Sequence, residues 1–358
     1  FIFLYDFRKA RNIYPINSYD TIFLEILNLV MENKPKPFLS NKNPLGADQK
    51  IGENFSVNYL LPQYWFSWIL ISFSYILIYM PRSIRFFIGS FLGSFIRISN
   101  SKRSNIVMTN LSLCFKTMSS FDRKRIHDRY FQNLGKAILD IPSLWWRSDD
   151  SLQKSCDVIN SKYIDNELSK GRGVILLTSH TVSLDFGGRS ISRYPIISMY
   201  KPFRNKLLNW FIGKSRSKKT DNVIVYPRED FPFKKIIKAL KSPIVFYYIA
   251  DEDLGVKNSE FVDFFGEKKS TLISIRKIAE LSNASVIPCI NFYCPSSKKY
   301  VTYVDQPLKS FPSSNPTNDA AMINNSLEKL ISRDISQYMW SLRLFQTRPK
   351  GHNYPYSK

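Results

Sequence analysis

Two residues near the middle of the chain have types and spacing suited to proton transfer. In the stretch GRGVILLTSHTVSLDFGGRS, residues 171–190, an apolar run ends at His180, and Asp185 follows five positions later. A carboxylate that holds one imidazole nitrogen leaves the other nitrogen able to take a proton from a hydroxyl group. The pair is therefore a candidate general base, with Asp185 as the partner of His180.

The two side chains meet only if the chain bends between them, because a spacing of five separates them by about 140° on a regular helix. A strand that ends near Ser179, a turn, and a helix that begins near Ser183 provide that bend. Asp185 then lies in the first helical turn, where the helix dipole favours a negative charge. No G-x-S-x-G elbow is present, so the expected nucleophile is a substrate hydroxyl. A purely structural histidine is the alternative.

The elements that must position this pair follow an alternating pattern from Gly173 onward. The predicted strands are Val174–Ser179, Ile196–Tyr200, Asn222–Tyr226, Pro243–Ala250, Ala284–Tyr293 and Tyr300–Val304. The predicted helices are Leu184–Arg193, Asn205–Ser215, Phe233–Leu240, Leu272–Leu281 and Asp319–Ile335. The alternation predicts an α/β fold with a mixed, largely parallel sheet flanked by helices, with antiparallel edges among the later strands. Ligand sites in such sheets gather at the carboxyl ends of strands, where His180 and Asp251 both lie.

The charge of the chain favours an anionic partner. There are 51 lysine and arginine residues against 29 aspartate and glutamate residues, a formal net charge of +22. Nucleic acid, an acidic membrane surface and an acidic protein or lipid headgroup all fit this excess. Because no nucleic-acid-binding motif accompanies the basic residues, we do not expect nucleic acid as a partner. The four cysteines have no metal-ligand spacing, so neither a disulfide framework nor a metal site is predicted.

An uncharged segment near the N-terminal side predicts a membrane helix. The run Tyr64–Met80 is 17 residues long and mostly apolar or aromatic, at the lower edge of the ~17–25 residues of a bilayer span. Arginines follow it, and positive residues mark the cytoplasmic side, so the rest of the chain is expected in the cytoplasm. The next segment, SIRFFIGSFLGSFIRI, fits a helix in the membrane interface. For both segments a core helix is the alternative.

Several stretches, in the same order along the chain, resemble motifs of a known enzyme family. They are LPQYWFSWILI, NIVMTNLSLCF, SHTVSLDFGGR, YKPFRNKLLNW, YYIADEDLG and QYMWSLRLFQTRPKG. Together they resemble the late acyltransferases of lipid A biosynthesis, the lauroyl and myristoyl transferases. These belong to the H-x4-D/E acyltransferases that act on glycerol phosphate and lysophospholipids. The resemblance covers roughly Leu60 to Gly351.

The resemblance implies transfer of a fatty acyl chain from acyl carrier protein to a hydroxyl of a lipid A precursor, at the bacterial inner membrane and without a cofactor. It implies that His180 is the general base and Asp185 its orienting carboxylate. Arg216 is implied to bind a phosphate or to stabilise an oxyanion, and Asp251 to position the substrate or a basic neighbour. A solvated charge and a strand-end ion pair are the respective alternatives. The same motifs imply further substrate-binding residues, Asp253, Tyr200, Lys201 and Asn205.

The chain departs from the family motifs at a few positions, and these leave the acceptor open. Lys201 stands where the family has arginine, which keeps the charge but loses the bidentate fork. An acyltransferase for a phospholipid or another glycolipid is one alternative. A catalytically silent lipid-binding protein of the same fold is the other.

Three regions are predicted along the chain. Residues 1–57 form an N-terminal extension, residues 58–103 a membrane anchor with an interfacial segment, and residues 104–358 a cytoplasmic acyltransferase domain. Within the last region, Ser119 is expected to cap a helix that carries His127 on its exposed side.

Overall fold

Nine strands and twelve α-helices make up the described part of the chain. The computed structural model describes residues 55–218, 223–228 and 231–356, without the side chains of 216–218. The strands are β1 (Cys156–Ile159), β2 (Val174–Thr178), β3 (Ile196–Tyr200), β4 (Val223–Pro227), β5 (Val245–Ile249), β6 (Ser259–Phe264), β7 (Glu267–Leu272), β8 (Ser285–Cys294) and β9 (Lys299–Val304). Most of the predicted extension, residues 1–57, lies outside the described residues.

The α-helices alternate with the strands in the second half of the chain. They are α1 (Trp65–Leu77), α2 (Arg82–Ser99), α3 (Ser101–Cys114), α4 (Ser120–Asp140), α5 (Pro142–Trp146), α6 (Asp149–Lys154), α7 (Lys162–Ser169), α8 (Leu184–Ser190), α9 (Lys206–Lys218), α10 (Phe233–Ala239), α11 (Ser274–Ser282) and α12 (Pro316–Ile331). The predicted order of helices and strands after Gly173 is therefore confirmed, with ends that differ by a few residues.

A seven-stranded sheet in the order β1-β9-β8-β2-β5-β3-β4 forms the centre of the fold. All neighbours in it are parallel except β8 and β9, which pair antiparallel. The mixed, largely parallel sheet that the sequence predicts is thus confirmed. The antiparallel pair β6–β7 is separate from this sheet and was not predicted. Its strands read SEFVDF and EKKSTL, and they lack the apolar run that marks a buried strand.

The central strand β2 is buried on both faces. Ile175 and Leu177 point into one apolar cluster, and Val174 and Leu176 point into a second cluster on the other side of the sheet. This division follows from the alternation of side chains along a strand. Full burial of one such side chain contributes about 1.5–3 kcal/mol. The two clusters therefore hold β2 in place within the sheet, and this fixes the position of the turn that follows it, which carries His180.

Helix α1 is shorter than the membrane helix that the sequence predicts. It spans 13 residues and ends at Leu77, before Pro81. At about 1.5 Å per residue it is roughly 20 Å long, against a hydrocarbon core of about 30 Å. Among the described residues, no helix combines the length and the hydropathy that a membrane crossing requires. The predicted single-pass span over Tyr64–Met80 is therefore unsupported.

One side of α1 packs into the protein and the other side is exposed. Ile71 is buried beside Trp210 and Phe211 of α9, and Ser74 accepts a hydrogen bond of 2.8 Å from the Trp146 indole. The exposed side carries large apolar residues, and so does one side of α2. They are Trp65, Phe66, Ile69, Leu70, Phe73 and Ile76 on α1, and Ile84, Phe87, Ile88, Phe91, Phe95 and Ile98 on α2. We call this set the apolar face.

The opposite side of α2 lies very close to α4. A Cβ atom on Gly93 would be 1.9 Å from the carbonyl oxygen of Phe131, and one on Gly135 would be 2.0 Å from that of Gly89. Glycine at these positions lets the two helix backbones touch, so α2 is held firmly against the fold while its other side stays exposed.

A buried charged cluster joins the same two helices to the sheet. Asp140 at the end of α4 lies 2.6 Å from Arg85 and 3.1 Å from Arg82 of α2. Tyr300 of β9 donates a hydrogen bond of 2.8 Å to it. Burial lowers the pKa of Arg85, and the adjacent Asp140 carboxylate opposes that shift.

The N-terminus of α4 confirms one prediction and corrects another. The Ser119 side chain accepts a hydrogen bond of 3.0 Å from the backbone N–H of Asp122, as expected of a helix cap. His127 was predicted to lie at the surface, and this was wrong. It is buried, because α3 packs along that side of α4 and brings Ser104 within 2.9 Å of its Nε2.

Candidate active site

A cavity of about 400 Å³ opens where β2, β3 and β5 end. Its polar lining includes His180, Asp185, Arg189, Tyr200, Lys201, Arg228 and Glu252. Its apolar lining includes Met199, Phe203, Val225, Phe233, Tyr247 and Tyr248. This is the edge at which open α/β sheets hold their ligands, and the lining combines a long apolar wall with a small group of charged side chains.

The histidine is fixed by a carboxylate from the neighbouring strand. Strands β2 and β5 pair in parallel, with Thr178 opposite Ile249, so the residues after each strand are adjacent. His180 Nδ1 lies 2.7 Å from one Asp251 oxygen, and the His180 backbone N–H donates a bond of 2.8 Å to the other. Asp251 thus holds both the ring and the backbone of His180, and it leaves Nε2 directed away from this contact.

The C-terminal segment fixes the turn that carries His180 from the other side. The backbone N–H of Met339 donates to the His180 carbonyl at 3.0 Å, and that of Val182 donates to the Gln337 carbonyl at 3.0 Å. Tyr338 and Trp340 are fully buried beside them. The QYMW stretch is therefore a structural support of the histidine turn.

The histidine and the aspartate stabilise each other's charged forms. Burial lowers the pKa of His180, but the Asp251 and Glu252 carboxylates outweigh it, and the pKa lies above its ordinary value of 6.5. Burial raises the pKa of Asp251, but the contacts with His180 outweigh it, and the pKa lies below its ordinary value of 3.8. A free imidazole at Nε2 therefore forms at higher pH than in an isolated histidine.

A second carboxylate lies on the Nε2 side of the ring. One oxygen of Glu252 is 3.8 Å from His180 Nε2, and the other is 2.6 Å from the Arg228 guanidinium. Neither residue was predicted from the sequence. Glu252 stands between two aspartates that were singled out, and Arg228 directly follows β4, so their positions at strand ends were the available signal.

Asp185 lies where the predicted strand–turn–helix places it, in the first turn of α8, and it lines the cavity with His180. The contact at Nδ1 of His180 is made by Asp251. The orienting role of Asp185 stays a prediction, and the structure adds Asp251 as a carboxylate in direct contact with the base.

The other predicted site residues divide into two groups. Tyr200 is the last residue of β3 and Lys201 directly follows it, and both line the cavity. Asn205 instead directly precedes α9, where its side chain accepts a hydrogen bond from the Leu208 N–H of that helix and donates to Ser67 of α1 at 2.8 Å. Asp253 accepts a bond of 2.7 Å from the Thr347 backbone and so holds the C-terminal segment. Arg216 belongs to α9, but its side chain lies outside the described residues.

Comparisons with known proteins agree on one family. Residues 53–347 match the family model of the bacterial lipid A biosynthesis acyltransferases. The chain is 31% identical over 301 residues to a lipid A biosynthesis lauroyltransferase of Escherichia coli K12, covering 83% of this chain and 96% of the relative. It is 30% identical over 317 residues to a lipid A biosynthesis acyltransferase of Haemophilus influenzae, covering 87% and 98%. A myristoyltransferase of the same pathway in E. coli K12 is 25% identical over 307 residues, covering 85% and 94%.

Proposed function

Because the chain belongs to the bacterial lipid A biosynthesis acyltransferase family and is an acyltransferase, we propose that it transfers a fatty acyl chain from acyl carrier protein to a hydroxyl group of a lipid A precursor. The observation that carries the proposal is His180, held at Nδ1 by Asp251 beside a largely apolar cavity. The relatives named above act in lipid A biosynthesis, which supports this acceptor.

In the proposed reaction His180 is the general base. Its Nδ1–H donates to Asp251, so Nε2 takes the proton as the acceptor hydroxyl attacks the thioester carbonyl carbon. A positioned base of this kind typically accelerates a reaction about 10²–10⁴-fold. The negative charge of Asp251 then stabilises the imidazolium, which returns the proton to the leaving thiol of acyl carrier protein.

The charged lining of the cavity suits the proposed substrates. Asp185 lines the cavity beside His180 and assists the base, and Lys201 supplies positive charge for the acceptor phosphates. Arg216 is proposed as a second phosphate ligand from the family motif alone, because its side chain lies outside the described residues. Tyr200 lines the same wall. Asn205 and Asp253 act at a distance in this proposal, because their bonds fix α9 and the C-terminal segment.

The apolar wall suits an acyl chain. Each methylene that leaves water contributes about 0.8 kcal/mol, so the depth of the wall sets the preferred chain length. The Tyr247 and Tyr248 side chains of β5 contribute to it. We therefore expect substitutions that shorten or lengthen this wall to change chain preference before they change the reaction.

The apolar face of α1 and α2 supports an attachment to the cytoplasmic face of the bacterial inner membrane. Exposed aromatic and aliphatic side chains insert at the level of the headgroups, and the net charge of +22 adds attraction to anionic lipids. We expect Phe87→Asp with Phe91→Asp to release the protein from vesicles that contain anionic phospholipid. Phe121→Asp, at an exposed phenylalanine of α4, is the matched control and should stay bound. Equal sedimentation of both variants would contradict this attachment.

The test of the function is an acyl-transfer assay with the purified full-length chain. Acyl carrier protein loaded with chains of several lengths is offered with a tetra-acylated lipid A precursor, a lysophospholipid or a different glycolipid. Product on the lipid A precursor from the wild type, and almost none from His180→Ala, is expected. Product on the lysophospholipid or the other glycolipid alone would show that this lipid, and not the lipid A precursor, is the acceptor. No product on any of them from folded protein would favour a silent lipid-binding protein.

A further inference from the structure

The Glu252 carboxylate lies between His180 and the Arg228 guanidinium. Its two oxygens are placed as the two oxygens of an acyl-transfer intermediate would be. One of its oxygens faces His180 Nε2 at 3.8 Å, and the other contacts Arg228 at 2.6 Å. In the tetrahedral intermediate of acyl transfer, the attacking oxygen and the oxyanion are bonded to the same carbon. That O–C–O group has the same spacing of oxygens as a carboxylate.

We propose that Arg228 is the catalytic residue that stabilises the oxyanion, and that Glu252 holds the place of the intermediate until the acyl thioester displaces it. This inference rests on the proposed function. The attacking oxygen would lie on the side of the Glu252 oxygen that faces Nε2, closer to Nε2 than the 3.8 Å of that oxygen and within hydrogen-bond reach of the base. The oxyanion would take the position of the oxygen on Arg228.

The surroundings of Arg228 suit this role. Its backbone N–H donates to the Tyr200 carbonyl at 2.9 Å, which ties the end of β4 to the end of β3 at the cavity wall. Its side chain and that of Glu252 are both partly exposed, so the ion pair can open without loss of packing. A guanidinium keeps its charge at all working pH values and offers several N–H donors in one plane. Donors that face a developing oxyanion are among the largest contributions to acyl-transfer catalysis.

The bonds and protons balance in a two-step sequence. The acceptor oxygen forms a bond to the thioester carbon, its proton moves to His180 Nε2, and the carbonyl electrons move onto the oxygen that faces Arg228. The intermediate then collapses to the ester, the C–S bond breaks, and the Nε2 proton leaves with the thiol. Arg228 gains and loses no proton in either step.

Displacement of Glu252 also changes the base. The Glu252 carboxylate is one of the groups that hold the pKa of His180 above its ordinary value. When Glu252 moves away, that pKa falls and Nε2 is released for proton transfer. The ionisable groups around His180 and Glu252 include Asp251 after β5, Tyr248 on β5, Arg228 after β4, Lys201 after β3, Asp185 and Arg189 on α8, Lys269 on β7 and Tyr338.

The experiment compares two reactions of the full chain. The first is acyl transfer to the lipid A precursor, and the second is hydrolysis of acyl-acyl carrier protein without an acceptor. Arg228→Met should lower kcat by about 10²–10³-fold in both reactions, with the KM for the acceptor little changed. Arg228→Lys should recover part of the loss, and added guanidinium ion at a non-denaturing concentration should partly restore Arg228→Ala. Arg193→Met, an exposed arginine outside the cavity that pairs with Asp165, should keep the wild-type rate.

Glu252→Gln tests whether Glu252 only occupies the position of the intermediate or whether its carboxylate is required for the reaction. We expect kcat/KM equal to or above that of the wild type, and an acidic limb at lower pH because one carboxylate no longer raises the pKa of His180. A loss as large as that of Arg228→Met would overturn the place-holder role. Unchanged hydrolysis in Arg228→Met, with a raised KM for the acceptor alone, would make Arg228 a phosphate ligand and overturn the oxyanion role. A wild type that hydrolyses the thioester but acylates no lipid would contradict the proposed function only.

Discussion

Two buried carboxylates, Asp140 and Asp251, are both paired with basic side chains, yet only one lies at a candidate site. Asp140 is surrounded by Arg82, Arg85 and Tyr300, which come from two directions and leave it fully buried. Asp251 is almost as buried, but its partner His180 reaches into the cavity. The difference teaches that a buried ion pair marks a reactive site only where one member still faces a space that a substrate can enter.

The largest expected effect is on the reaction, at Asp251. Asp251→Asn keeps the shape of the side chain but removes the charge that stabilises the imidazolium. We expect turnover to fall about 10²–10⁴-fold, measured in the acyl-transfer assay. Circular dichroism should still report the wild-type fold. Asp165→Asn, at an exposed ion pair, is the control, and full activity in Asp251→Asn would remove the distinction between the two carboxylates.

The converse effect is expected at Asp140. Asp140→Asn leaves Arg85 buried and without its charge partner, and removal of one member of such a pair costs about 3–5 kcal/mol of unfolding free energy. Urea unfolding measures this loss. The fraction of protein that stays folded should transfer acyl chains at the wild-type rate, because the charged cluster does not line the cavity. A variant as stable as the wild type would show that the cluster contributes little.

The pH dependence gives a smaller but more specific contrast. The pKa of His180 is raised, so the reactive free base appears only as the pH passes above 6.5, and kcat/KM should rise through that higher value. For folding, the raised His180 pKa contributes stability that is complete below 6.5 and is lost as the pH rises through the folded value. The lowered Asp251 pKa contributes stability above 3.8 that is lost as the pH falls. Asp251→Asn should move the acidic limb of the kcat/KM profile to lower pH. If that limb stays where it is, the limb reports the titration of a group other than His180.

The smallest expected effect tests the packing beneath the apolar face. Gly93→Ala places a methyl group against the Phe131 carbonyl, and such overpacking costs about 1–3 kcal/mol. Gly213→Ala is the matched control, because no described atom outside the backbone of helix α9 itself lies within 4 Å of the added Cβ. There alanine should stabilise by about 0.5–1 kcal/mol. Thermal unfolding measures both effects. Equal melting temperatures for Gly93→Ala and Gly213→Ala would contradict the close packing of α2 on α4.

The sequence predicted the sheet and the edge of it at which the candidate site lies, because both depend on local patterns. Apolar runs identified β2, β3 and β5, and the rule for strand ends brought His180 and Asp251 to one edge. Their direct contact was not predicted, because it depends on which strands are neighbours, and β2 and β5 are far apart along the chain. Arg228 and Glu252 were missed for the same reason.

The errors elsewhere also have physical causes. His127 stands among charged residues, but α3 covers it, and one sequence does not reveal which helix faces a given side of α4. The apolar run at Tyr64–Met80 indicated a membrane helix, whereas Pro81 follows a shorter helix that lies partly against α9. Hydropathy along the chain does not distinguish a helix that crosses a bilayer from one that is half covered by protein.

The contact between Met339 and the His180 turn has a consequence for biosynthesis. The base is presented by β2, its carboxylate by β5, and the support of its turn by a segment about 160 residues further along. A contact of such long range closes a long loop, and the entropy of that closure must be overcome before the contact stabilises the turn. We therefore expect the enzyme to become active during biosynthesis only after the segment around Gln337 and Met339 has been synthesised and has docked on the turn.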